Sequence, residues 1–172
     1  MKSWKWICLG AVLTFILVGC SDSNKEIISN AEESSAVGFE MANGKIDQAE
    51  DVPEAEQQAI FNAFKEYMDA FNAQDVERYI ATLSKDPKGF NLDEERKALK
   101  SAFETYEIER VAEDVTIVKY TGEEANVYAN LKIDSVEKQT GTDLSSLGRQ
   151  VTVFKKEDGI WKVSSVYYIG SE

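Results

Sequence analysis

Proton-transfer chemistry in this sequence has only carboxylates and tyrosines to work with, because its 172 residues include no histidine. That absence excludes a histidine general base, Ser-His-Asp and Cys-His arrangements, and zinc sites of the usual kind. The densest group of oxygen ligands is Asp86, Asn91, Asp93, Glu94 and Glu95, a composition that attracts calcium. Its spacing does not follow the alternating ligands of a calcium loop. Asp93, Glu94 and Glu95 fit better as acids in the first turn of a helix. Glycine-rich dinucleotide or phosphate loops and the nucleophile elbow are absent. Motifs therefore assign no catalytic, cofactor-binding or metal-binding residue.

One side chain does carry a recognisable chemistry. Cysteine occurs twice, as Cys8 and Cys20. Lys2 and Lys5 are followed by an uncharged, mostly apolar run from Trp6 to Val18, then Leu17-Val18-Gly19-Cys20 and the polar stretch Ser21-Asp22-Ser23-Asn24. A positive start, a short apolar run and small residues at a cleavage point form the anatomy of a secretory signal. The run is shorter than the roughly 20 residues that a spanning helix needs. Leu17-Val18-Gly19-Cys20 resembles the bacterial lipobox. The resemblance implies that Cys20 receives a diacylglycerol and that a peptidase cuts between Gly19 and Cys20. Residues 1–19 are then a signal peptide, and the mature protein is anchored by its lipid to the extracytoplasmic face of the cell membrane. Cys8 leaves with the signal, so thiol catalysis and a disulfide framework leave with it.

Residues 20–52 hold many acids and scattered apolar residues with no period of two or 3.6. Such a composition does not offset the entropy of ordering and predicts a flexible acidic tether with a reach on the order of 30 Å. A short docked helix near Ser34–Met41 is the competing reading. Residues 53–172 make one domain by length. The formal charge of −12 argues against nucleic acid, which needs a basic face.

Within the domain, Ile60, Phe61, Phe64, Tyr67, Met68 and Phe71 recur at helical steps and predict a helix over Glu54–Ala73. Asp75 reads as the cap of a second helix carrying Val76, Tyr79, Ile80 and Leu83. Asn91-x-x-Glu94 has capping-box spacing and opens a third, with Leu92, Leu99 and Phe103. Strands are expected at Tyr106–Tyr120, at 126–133 and at 150–156, the last pairing with 160–169 through Glu157-Asp158-Gly159. A polar loop is expected over Ser135–Gly148, and loops of that length often carry binding function. Trp161, Val163, Ser165, Tyr167 and Ile169 are expected on one face of the last strand. The fold class is α+β, three N-terminal helices on an antiparallel sheet of about four strands.

Phe71-Asn72-Ala73-Gln74-Asp75-Val76-Glu77-Arg78-Tyr79-Ile80 and the closing Asp158-Gly159-Ile160-Trp161-Lys162-Val163 resemble the nuclear transport factor 2-like (SnoaL-like) superfamily. That resemblance implies a cone with a curved sheet and an interior pocket. Dehydratases of the superfamily often pair His with Asp, which this chain cannot do. The steroid-isomerase branch pairs Asp with Tyr, and Asp69, Tyr67, Tyr79, Tyr128 and Tyr167 are the residues able to face such an interior. Two functions follow as expectations. The first is a non-catalytic module binding a small apolar ligand or an envelope protein, with no cofactor. The second is a His-independent isomerase or dehydratase using Asp and Tyr. The superfamily's habit of dimerising through the sheet implies a possible homodimer.

Overall fold

The computed structural model describes residues 41, 42 and 45–170. Gly19, Cys20, the signal segment and most of the expected tether lie outside the described residues. The described chain opens with a two-residue pair, β1 (Met41–Ala42) against β2 (Lys45–Ile46). The Ala49 N–H donates to the Ile117 carbonyl at 2.7 Å, and Ala49 and Val52 pack against the core. The chain is thus docked a few residues ahead of Pro53. A single backbone bond leaves no periodic trace in the sequence.

Helix α1 (Glu54–Asn72) buries Ile60, Phe64, Tyr67, Met68 and Phe71, the repeat that predicts it. Helix α2 (Val76–Thr82) starts at Asp75, whose carboxylate accepts the Arg78 N–H at 3.0 Å. Helix α3 (Leu92–Thr105) starts at Asn91, whose Oδ1 accepts from the N–H groups of Asp93 (2.9 Å) and Glu94 (3.1 Å). These bonds satisfy donors that the first turn leaves free, each cap stabilising by about 1 kcal/mol. None of the described helices is long and apolar enough to cross a membrane.

Four strands follow: β3 (Tyr106–Tyr120), β4 (Glu124–Glu137), β5 (Asp143–Glu157) and β6 (Ile160–Gly170), antiparallel in the order β3-β4-β5-β6. Residues 158 and 159 turn the last hairpin with φ of 52° at Asp158 and 81° at Gly159, as a tight turn between right-twisted strands requires. The three helices cover one face of the sheet, where Ile117, Val127, Leu131, Phe154, Trp161 and Val163 meet the apolar side of α1. Glu56 ties the first turn of α1 to the last hairpin, accepting from Lys156 Nζ (2.6 Å) and Trp161 Nε1 (3.0 Å). The hydrogen bond from Lys156 holds the Glu56 carboxyl below its ordinary value.

Two expectations are corrected. The polar loop over Ser135–Gly148 is mostly sheet: Leu131–Val136 pair with Asp143–Gly148, leaving only residues 138–142 as the turn. Asp143 to Leu147 are exposed throughout, so hydrogen bonding without burial holds that end. Alternation cannot mark a strand that buries neither face. The last strand also does not keep one face. Phe154 pairs with Val163 but Val153 pairs with Ser165, so Ser164 is an extra residue in β6. This bulge turns Trp161 and Val163 toward the helices, and Ser165, Tyr167 and Ile169 toward the opposite face.

Where Gly148 lies, the Tyr168 ring takes the space a side chain would fill, with an added Cβ only 2.5 Å from its Cζ. Tyr168 Oη also meets Ser146 Oγ at 3.1 Å. Gly148→Ala is expected to push the half-exposed ring into solvent and destabilise by about 1 kcal/mol, the mild end of overpacking. Chemical denaturation should show that cost vanish in a Tyr168→Ala background; equal costs in both backgrounds would contradict the contact.

Candidate functional site

The five residues nominated for a cone interior do not converge as a set. Tyr67 and Tyr79 do: α1 and α2 bring their rings to 5.1 Å and their hydroxyls to 3.4 Å. Asp69 does not join them and is partly exposed, paired with Lys65. Tyr128 lies on the sheet face away from the helices, its hydroxyl donating to Asn130 Oδ1 at 2.7 Å. Tyr167 lies on that same outer face and is 47% exposed.

The carboxylate beside the tyrosines is Glu95, whose Oε1 is 3.4 Å from the Tyr79 hydroxyl. Sequence reasoning placed Glu95 with the first-turn acids of α3. Its spacing held a second signal, since Leu92, Glu95, Leu99 and Phe103 form one stripe at steps of three and four. Asn91 serves as the helix cap, and Asp93 pairs with Arg96. Among the described residues, no group of three or more Cys, Asp or Glu is arranged to hold a metal ion.

Aromatic rings fill the space around the two hydroxyls. Phe71 stands 5.8 Å from Tyr79 and 5.2 Å from Phe103, and Phe64 stands 6.4 Å from Tyr67. Tyr67, Phe71 and Tyr79 are all buried. Burial, then the neighbouring Tyr67, pushes the Tyr79 hydroxyl far above the ordinary tyrosine range. It is a neutral group at any physiological pH. Contacts of 3.4 Å between oxygens lie at the weak limit of hydrogen bonding.

An opening lies on the flank, between α1 and the edge strand β3. This groove of about 440 Å³ is lined by Phe61, Phe64, Lys65, Met68, Asp69 and Asn72 from α1, and by Glu109–Ala112 and Val115 from β3. Asn72 fastens the two walls together. Its Nδ2 donates to the Arg110 carbonyl (2.8 Å) and its Oδ1 accepts the Arg110 N–H (2.9 Å). The Arg110 guanidinium lies 3.4 Å above the Phe71 ring centre, and its Nε is buried without a hydrogen-bond partner. No sequence motif marks Arg110, and the stretch from Phe71 to Ile80 that resembles the superfamily contains Asn72 without giving it a role.

Comparisons with known proteins agree with this architecture. A family model described as the anti-sigma-I factor RsgI9, C-terminal domain, matches residues 62–169. A ketosteroid isomerase-like protein from Erwinia carotovora atroseptica superposes with a TM-score of 0.58 at 22% identity, over 70% of this chain and 99% of that one. A candidate scytalone dehydratase from Novosphingobium aromaticivorans gives 0.62 at 18% identity, over 69% and 85%. A candidate dehydratase of the NTF2-like family from Streptomyces avermitilis gives 0.61 at 16%, over 70% and 99%. No curated protein matches the chain. Identities this low carry the fold and say nothing of activity. With residues 62–169 matched and the three helices seated on the open four-stranded sheet, the chain belongs to the family of the anti-sigma-I factor RsgI9 C-terminal domain, on an NTF2-like fold.

Proposed function

We propose that this chain is a lipid-anchored extracytoplasmic lipoprotein whose cone-shaped domain binds a ligand or an envelope protein and catalyses no reaction. The observation that supports the non-catalytic part is the packed interior: Tyr67, Phe71, Tyr79 and Phe103 occupy the space between helices and sheet. These buried rings crowd the tyrosine hydroxyls, which weighs against an apolar substrate beside them. The family name supports it too, being that of part of an anti-sigma-I factor and of no reaction. The anchor rests on Leu17-Val18-Gly19-Cys20 and the tether on the acidic composition of residues 20–52. Pairing of two copies through the outer sheet face, where Leu147, Tyr167 and Ile169 are exposed, is compatible with this role and would register as a concentration-dependent mass.

The second reading is a His-independent isomerase or dehydratase. It is favoured by the meeting of Tyr67, Tyr79 and Glu95, and by the names of the structural neighbours. One experiment separates the two. Tyr67→Phe with Tyr79→Phe removes both hydroxyls together and costs only the weak 3.4 Å contact to the part-buried Glu95, so stability should change little. In a strain lacking the gene, this double variant is expected to restore the wild-type phenotype fully. A folded double variant that fails to do so would favour the enzyme.

A further inference from the structure

We infer that the groove between α1 and β3 binds a small amphipathic carboxylate, its apolar body against Phe61, Phe64 and Met68 and its carboxylate on Arg110. This deepens the reading of the domain as a binding module and rests on it. A volume of about 440 Å³ falls within the range of small-molecule sites, roughly 300–1,000 Å³. Phe61, Phe64, Met68, Val111, Ala112 and Val115 give the walls their apolar part, and Lys65, Asp69, Asn72, Glu109 and Arg110 give them polar groups. That combination orients a ligand by one contact and holds it by many.

Arg110 supplies the contact. It pairs with Ile133 across the sheet, so it belongs to the helix-facing side of β3 with Ala112, which pairs with Leu131. A cation partly removed from water needs an anion or hydrogen-bond acceptors. The Phe71 ring meets part of that need through its π-face. No carboxylate meets the rest: among the described residues Arg110 is in no ion pair, whereas Arg78 holds Glu66 and Arg96 holds Glu77 and Asp93. In a chain with 31 acidic residues, an arginine that lines a groove and is itself in no ion pair among the described residues invites an anion from outside the chain. Two acids line the groove with it, and neither is ion-paired to Arg110. Asp69 is paired with Lys65, and Glu109 belongs to the opposite side of β3 from Arg110, opposite Asp134 in the strand register.

A strand from a partner protein is disfavoured as the occupant. Asn72 already takes the outward N–H and C=O of Arg110, which an added strand would have to use. The site therefore suits a compact ligand with one anionic end.

Octanoate and octanol test this on the full chain held in lipid nanodiscs, by titration calorimetry with empty nanodiscs as the blank. Octanoate is expected to bind saturably at one site, at least about tenfold more tightly than octanol, although octanol leaves water more readily. Arg110→Met should abolish that preference, and Arg110→Lys, which keeps the charge and loses the fork, should retain part of it. Tighter binding of octanol to the wild type, no saturable octanoate binding, or unchanged octanoate affinity in Arg110→Met would overturn the inference. Each of these leaves the module reading intact, because the Tyr67→Phe, Tyr79→Phe complementation tests that separately.

Discussion

Cells expressing the Cys20→Ala chain and fed labelled palmitate are expected to show no label on this protein, whereas the wild type carries it. The wild type should also yield an N-terminus at Cys20 with an acyl mass, and the variant should not. The effect is all-or-none because the anchor depends on one thiol. Each buried CH₂ contributes about 0.8 kcal/mol, and a single myristoyl chain holds a protein only marginally, with a partition constant of about 10⁴ M⁻¹. Two chains on one diacylglycerol convert transient association into stable residence. Sedimentation with membranes is the poorer readout. A variant that keeps residues 1–19 retains the apolar run from Trp6 to Val18, which binds membranes by itself. Label on Cys20→Ala, or none on the wild type, would remove the lipoprotein from the proposal and leave the domain reading untouched.

Phe71→Ala is expected to be the most damaging single substitution in the domain, costing about 3–5 kcal/mol in urea denaturation. Phe71 is only 2% exposed, and three groups depend on its ring: Tyr79, Phe103 and the Arg110 guanidinium. Removing it opens a cavity, and it also strips the half-buried Arg110 cation of its π-face. Against a typical total stability of about 5–15 kcal/mol, that loss is enough to unfold a marginal domain. Phe71→Leu refills most of the volume and should cost less than half as much. The cycle with Arg110→Met isolates the cation contribution, since contacting residues do not add. A loss below about 1 kcal/mol for Phe71→Ala would mean the interior is not packed around this ring. The packed-interior argument against catalysis would then fall too.

These two residues mark different kinds of legibility. The Cys20 proposal rests on sequence alone, because lipidation would depend on a contiguous run of chain that a short motif can record. The order of elements was readable for a similar reason. Helix periodicity at Ile60, Phe64, Tyr67 and Phe71, the caps Asp75 and Asn91, and the turn at Asp158-Gly159 all act within a few residues. Local backbone sterics and capping bonds decide them, so the sequence states them locally.

The sequence by itself therefore determined three helices, four antiparallel strands and the cap residues. Tertiary structure alone decided where β4 and β5 end, which way β6 turns after Ser164, and which side chains share a site. Asn72 and Arg110 are 38 residues apart, and Tyr79 meets Tyr67 only because α2 folds back on α1. Such pairings depend on the register between strands and on how helices cross the sheet. A one-residue bulge reverses every side chain beyond it without disturbing the composition. No window of sequence contains that choice, because the partners that make it lie on other elements.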